Sequence, residues 1–356
     1  MRGLPRDLHP VAWWLWAIGL ATAASLTTNP LVLLIIVGVV AFVVSFRRAD
    51  HPWARSFRFY VWLGVIAVVL RVLWRVILGG GYPGEVVLDL PEIPLPDFVN
   101  GVRLLGPVTR EALLAGLYDG LRLATLVICV GAANSLANPK RLLRSLPPAL
   151  YEIGTALVVA VTVLPQFTQS IARVRAAQAL RAGDTGRVKR LRRFLVPVLE
   201  DTFDRSLALA AGMDTRGYGR SGEASVAARR LTGGLLLGGL CGVGVGVYAM
   251  LDQTAPRLLA APMLATGVLV AAAGLVAAGR RVQRTRYRPD RWRAPEIAVV
   301  VVGLTVAGLG WWVSHHQVLI AYPLLTAAPE VSVAALAAAL LGLAAVLVTP
   351  PPAVLR

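Results

Sequence analysis

Acidic residues are scarce in this chain, 19 against 36 lysines and arginines, and charged side chains of either sign make up only 15% of its 356 residues. A soluble protein of this length keeps far more polar surface, so a water-soluble globular fold is excluded. Cysteine is nearly absent. Cys129 and Cys241 both fall in apolar runs, with no CxxC pair and no Cys/His cluster, which excludes a disulfide framework and points to packing roles. The chain also lacks a GxxxxGK[ST] loop, so it does not hydrolyse ATP itself, and it lacks HExxH and GxSxG. An integral-membrane enzyme usually gathers acids or histidines at the membrane face, and no such cluster occurs. The ~10-residue alternation of barrel strands is missing too.

Long apolar runs take their place. The composition is 56% hydrophobic, mean hydropathy is +0.66, and several runs reach or approach the ~20 apolar residues that cross a hydrocarbon core. Lipid tolerates only helices or closed barrels, so these runs predict an all-α polytopic membrane protein. The net charge of +17 would suit nucleic acid, but the surplus sits in loops flanking apolar runs, as the positive-inside rule expects. No cleavable signal is read at the start, where Met1 to Pro10 leads into a Trp-rich span with Trp13, Trp14 and Trp16 as interface anchors.

Spans are expected near 11–27, 31–46, 59–78 and 112–137. A basic stretch, RRADHPWARSFR, follows the second, and a Pro/Gly-rich connector with Glu85, Asp89, Glu92 and Asp97 follows the third. Four more are expected near 231–250, 258–279, 295–313 and 331–348, with the basic loop RRVQRTRYRPDRWR between the second and third of these. About eight spans with both termini cytoplasmic place every basic cluster inside. The expected division is a transmembrane domain over 1–137, a cytoplasmic helical coupling domain inserted after the fourth span over 138–230, and C-terminal spans over 231–356. The stretch 149–167 is apolar enough to cross, but crossing would put the basic NPKRLLR and RVKRLRR on opposite sides. It is therefore read as cytoplasmic.

The coupling segment predicts a short helix ending at Pro147-Pro148, a long helix over about 149–182, and another over about 187–216. Both long helices end in arginine followed closely by glycine: ALRAGD with Arg181, and DTRGYG with Arg216. A guanidinium is always charged and offers a fork of donors that matches a carboxylate. Glycine beside it frees space for close approach. Two such tips suit docking to two acidic grooves on soluble partners. Elsewhere, Asp119 and Arg122 lie within the fourth span at i, i+3 and are read as a structural pair. His315 and His316 have no carboxylates at ligand spacing, and no metal site or cofactor is assigned.

The region resembles the transmembrane T component of energy-coupling-factor transporters, also seen as the CbiQ-type permease of cobalt importers. The family has one helix ending like AQRARG and a second ending like AMEARGYG; here AQALRA runs from Ala177 and GMDTRGYG from Gly212. Ala179, Leu180 and Ala182 depart from the first motif, and Gly212, Asp214 and Thr215 from the second. The likeness covers about 112–220 well and the first three spans loosely; three spans after Arg257 exceed the usual five-span plan. The resemblance implies a multi-pass subunit of a bacterial cell membrane. Its implied partners are two ABC-type ATPases, a small substrate-binding membrane subunit and the lipid bilayer, with no nucleic acid. It implies no catalytic residues in this chain. Arg181 and Arg216 would insert into the ATPases, with Ala177, Gln178, Met213, Gly217 and Tyr218 shaping the tips. The substrate, a vitamin or a metal ion, would be chosen by the binding subunit. A conventional ABC importer permease, or a membrane scaffold without a transport role, stands as the alternative.

Overall fold

A computed structural model describes residues 6–48, 56–78, 82–91, 105–145, 147–180, 187–218, 225–252, 256, 259–280 and 290–351. The chain divides into two compact units, 1–142 with 290–356, and 143–289.

The first unit begins with α1 (Pro10–Ser25) and α2 (Pro30–Arg47), each opened by a side-chain cap followed by proline. His9 accepts from the Val11 N–H, and Asn29 accepts from the Leu31 N–H. Proline suits the first helical position because its missing N–H would have had no intrahelical acceptor. α3 (Phe57–Ile77) leads to a two-stranded antiparallel pair, β1 (Val86–Asp89) with β2 (Pro107–Thr109), inside the connector expected only to be non-helical. α4 (Arg110–Leu136) starts on the Thr109 hydroxyl, and α5 (Pro139–Arg144) follows it. After the other unit the chain returns as α10 (Ala294–His316), α11 (Val318–Ala321), α12 (Val333–Leu341) and α13 (Ala344–Val348).

α1 sits against α2, α4 and α10, and its buried Trp16 and Leu20 share a core with Leu33, Ile36, Val40, Cys129, Ala132, Val299 and Val306. Lipid gives little hydrophobic drive between helices, so close backbone approach through small residues takes over. A Cβ on Gly303 of α10 would stand 2.7 Å from the Trp16 Cα of α1. α3 lies on α4 in the same way, where Cβ atoms on Gly116 and Gly120 would stand 2.9 Å from Arg75 Cγ and Val68 Cα. The C-terminal spans are therefore not a simple appendage, since α10 is a wall of the N-terminal bundle.

Two polar anchors hold this bundle. The buried Asn29 amide donates to Ile320 O at 2.8 Å and Glu330 O at 2.7 Å, and the Thr27 hydroxyl donates to Ala321 O at 2.7 Å. Asn29→Ala is expected to destabilise the protein by about 2–4 kcal/mol, since two carbonyls and a helix cap lose their partner. Thermal melting in detergent checks this, and an unchanged midpoint would contradict it. At the other anchor, buried Glu296 is held by Arg6 Nη2 at 2.9 Å and by the Arg293 N–H at 3.1 Å.

The final span, expected as one helix over 331–348, is broken between α12 and α13 at Gly342 and Leu343. At the break the Gly342 carbonyl accepts a long bond from the Ala345 N–H at 3.4 Å and a second from the Trp16 indole N–H at 3.3 Å, so it is well satisfied in an apolar setting. The Arg47 guanidinium donates to Pro350 O at 2.8 Å and to Val346 O, closing the far end of α13.

In the second unit, a turn at Pro148–Leu150 leads into α6 (Tyr151–Leu180), followed by α7 (Arg187–Asp214), α8 (Val226–Leu251) and α9 (Ala261–Gly279). α8 and α9 form a glycine-lined hairpin in which a Cβ on Gly239 would stand 2.7 Å from Ala271 Cα. Of the two cysteines, Cys129 is buried in α4, whereas Cys241, expected to be packed, lies exposed on α8.

Among the described residues, seven helices are long and apolar enough to cross a membrane: α2, α3, α4, α8, α9, α10, and α6 from Ile153. The chain is an all-α polytopic membrane protein. Six of the expected spans are among the seven. α1 has 16 residues, shorter than these, and the broken 333–348 segment is likewise short. α6 qualifies by length and composition.

Candidate functional site

The C-terminal end of α7 carries the GMDTRGYG stretch. Gly217 has φ +73°, the left-handed region that costs a side-chain-bearing residue about 1–2 kcal/mol. Around it the Tyr218 N–H returns to Met213 O at 3.0 Å and the Gly217 N–H to Asp214 O at 2.9 Å. This pair of bonds is a Schellman ending, which consumes carbonyls that the helix would otherwise leave unpaired. Arg216 is the last residue before the reversal. It is exposed, and among the described residues no carboxylate pairs with it. Met213, three residues earlier, is half-buried, and Tyr218 stands exposed one position beyond Gly217. The arginine is thus held at a fixed point by backbone bonds on both sides while its guanidinium stays open to a partner.

At the end of α6, Ala177 is exposed and Gln178 is half-buried, with its Nε2 buried and without a hydrogen-bond acceptor among the described residues. Arg181, the expected tip of this helix, lies outside the described residues. Leu180, the last described position, is 87% exposed, unusual for leucine in water and suited to a covered surface.

The two helices are joined by a charged brace that the sequence reading did not single out. Asp201 of α7 accepts from the Ser170 hydroxyl of α6 at 2.5 Å, from Arg173 at 3.2 Å, and from Arg205 at 3.2 Å. The Arg175 guanidinium lies 5.9 Å from the Phe194 ring centroid. The available signal was the Asp201/Arg205 spacing of i, i+4 on one helix; Ser170 and Arg173 come from the other helix and carry no local signature. The brace lies roughly 15 Å before the end of α6 and roughly 20 Å before the end of α7, at 1.5 Å per residue.

The Ser170 hydroxyl, followed by Arg205 and Arg173, holds the Asp201 carboxyl below the usual aspartate range. A lowered folded-state value means that the contribution to stability is present above the unfolded value, near 3.9, and is lost as pH falls through the folded one. The distance between spin labels at Ala172 and Phe203 is therefore expected to broaden only as pH falls well below the ordinary aspartate value of about 4. Asp201→Asn is expected to show that broadening already at neutral pH. A distribution indifferent to both changes would contradict the brace.

The intramembrane charges pair differently from expectation. Asp119 accepts from Arg71 at 3.3 Å and Arg75 at 3.4 Å, both on α3, while Arg122 donates to the Ser25 carbonyl of α1. The i, i+3 pairing of Asp119 with Arg122 is corrected because each finds a closer group on a different neighbouring helix. His315 and His316 each lie against the tryptophan one turn earlier, at 4.3 Å from Trp311 and 4.9 Å from Trp312. Among the described residues, no three of His, Cys, Asp and Glu are placed to share a metal ion.

Comparison with known proteins adds one match. The family model CbiQ, described as cobalt transport protein, matches residues 2–226, which takes in α1 to α7 and the whole Ala177 to Tyr218 pattern. No curated protein matches the chain.

Proposed function

The chain belongs to the CbiQ cobalt transport protein family and is a membrane component of a transport system, and on that premise we propose that it is the transmembrane coupling subunit of an energy-coupling-factor importer. In this reading two ABC-type ATPases supply the energy, and a separate small membrane subunit binds the substrate, a metal ion such as cobalt or a vitamin. The observation that carries the reading is the α7 tip, where a Schellman ending fixes an exposed Arg216, with no carboxylate partner among the described residues, inside the matched region. Arg181, just past α6 in the chain, is the corresponding point by its sequence pattern. Each guanidinium would enter an acidic groove of one ATPase, with Ala177, Gln178, Met213, Gly217 and Tyr218 shaping the contact.

Closure of the ATPases on ATP would displace the tips. Asp201, bonded to both Ser170 and Arg173 of α6, would make α6 and α7 move as a lever pair rather than independently. α6 and α7 would lie on the cytoplasmic side of a bacterial plasma membrane, because basic NPKRLLR and RVKRLRR flank α6 and are best kept on one side. Both termini would then be cytoplasmic. Family membership leaves no support for a scaffold without a transport role.

Isolation of the tagged chain from its own membranes in a gentle detergent tests this. Coupling predicts ATPase chains and a small membrane protein in the same complex. A conventional permease would instead appear as a pair of membrane subunits, and recovery of the chain alone would contradict both.

A further inference from the structure

We propose that Arg71 and Arg75 of α3 form a binding pocket for a phosphate or phosphodiester anion at the end of that helix, independently of the coupling reading. α3 packs on α4, and Gly64 is its one buried residue among those described, so much of its remaining surface is exposed or half-exposed. Arg71 and Arg75 are one helical turn apart on one side of α3. With Trp74 and Leu78 they line a pocket of about 240 Å³.

The charges there do not balance. Both guanidiniums reach the same oxygen of one carboxylate, Asp119 Oδ2, at 3.3 and 3.4 Å. These contacts are longer than the 2.7–2.9 Å of a well-formed charge-assisted bond. Among the described residues no second acid pairs with either arginine, so the trio carries a surplus positive charge between α3 and α4, two helices long and apolar enough to cross a membrane. Such a charge is costly in hydrocarbon unless an anion neutralises it. The side chains remain partly open, 47% for Arg71 and 30% for Arg75, so unused N–H groups are accessible.

The site is also built by its neighbours. Gly116 and Gly120 of α4 let the α3 backbone come close enough to bring both arginine stems against Asp119. The Arg75 guanidinium lies 5.0 Å from the Tyr82 ring centroid, which fixes its orientation. Two guanidinium forks match the oxygens of a phosphate, while Trp74 and Leu78 supply an apolar wall beside it. That combination of fork, indole and aliphatic wall fits an anionic headgroup at the level where tryptophan rings sit in a bilayer. A free phosphate presents the same oxygens, so the two sources are separated by experiment.

The full chain, with any subunits that co-purify, is placed in nanodiscs of phosphatidylcholine containing a minor share of phosphatidylglycerol. Retained phosphatidylglycerol is then counted by native mass spectrometry. The double variant Arg71→Gln/Arg75→Gln is expected to retain roughly tenfold less than wild type, from loss of charge-assisted bonds. Asp119→Asn removes the competing carboxylate and is expected to raise retention, a gain that misfolding does not imitate. In parallel, inorganic phosphate is titrated calorimetrically into delipidated protein. Arginine-dependent lipid retention without a phosphate response assigns the site to a lipid, whereas a phosphate response abolished in the double variant assigns it to a free anion. Equal retention in wild type and double variant with no phosphate response overturns the proposal, as does Asp119→Asn with retention at or below wild type.

Discussion

Arg216→Glu is expected to strip an ATPase from the purified assembly and to abolish ATP-driven uptake, while leaving the membrane bundle folded. Reversal of one member of a desolvated interfacial ion pair leaves the partner carboxylate buried against a like charge. Truncating such a pair alone costs about 2–5 kcal/mol, so an affinity loss of roughly 30-fold or more is expected. The fold should not suffer, because Arg216 is exposed and the Schellman bonds around it use backbone groups only. Arg192→Glu places the same charge change on another exposed position of α7 and is expected to behave like wild type in both assays. Gly217→Ala keeps the charge but strains the reversal by about 1–2 kcal/mol, so an intermediate loss is expected. ATPase recovered on the tagged chain, measured beside uptake in vesicles, checks all three. Equal loss with Arg192→Glu and Arg216→Glu would mean that net basic charge, rather than the tip, binds the partner.

Gly303→Val is expected to cost about 3 kcal/mol or more and to disrupt the N-terminal bundle. An added Cβ would meet Trp16 Cα at 2.7 Å and Leu15 O at 3.1 Å. Both are backbone atoms of α1, so no side-chain rotation relieves the overlap and the two helices must separate. Separation would also pull Trp16 from the Gly342 carbonyl and release the break between α12 and α13. Gly308→Val on the same helix is the control, because nothing lies within 4 Å of its added Cβ. Melting of the detergent-solubilised chain, followed by size-exclusion fluorescence, should separate the two variants clearly. Equal melting would mean that α10, which lies beyond the stretch matched to the family, is not a structural wall of that bundle.

Most helices could be read from the sequence because their signals are local. His9-Pro10 and Asn29-Pro30 mark helix starts by capping and by the fixed φ of proline, and Gly217 marks an end that only a left-handed residue allows. The tip at Arg216 was legible for the same reason. Features made by two elements at once were not. Asp119 finds its arginines on α3, a pairing that spacing along α4 cannot reveal. Asp201 depends on Ser170 from another helix. The break at Gly342 lies in a uniformly apolar run, and its visible support is an indole more than 300 residues earlier in the chain. The β1–β2 pair is short and lies in a connector whose prolines and glycines signalled only the absence of helix. The place of α10 beside α1 was hidden because close packing through Gly19 and Gly303 involves two glycines that look ordinary in their own helices.

The most direct measurement is the native mass of the assembly isolated with wild type, Arg181→Glu and Arg216→Glu under identical conditions. Docking through both tips predicts two ATPase chains on wild type and fewer on each variant. The same ATPase count on all three would contradict docking through these tips, and none on wild type would contradict the coupling role itself.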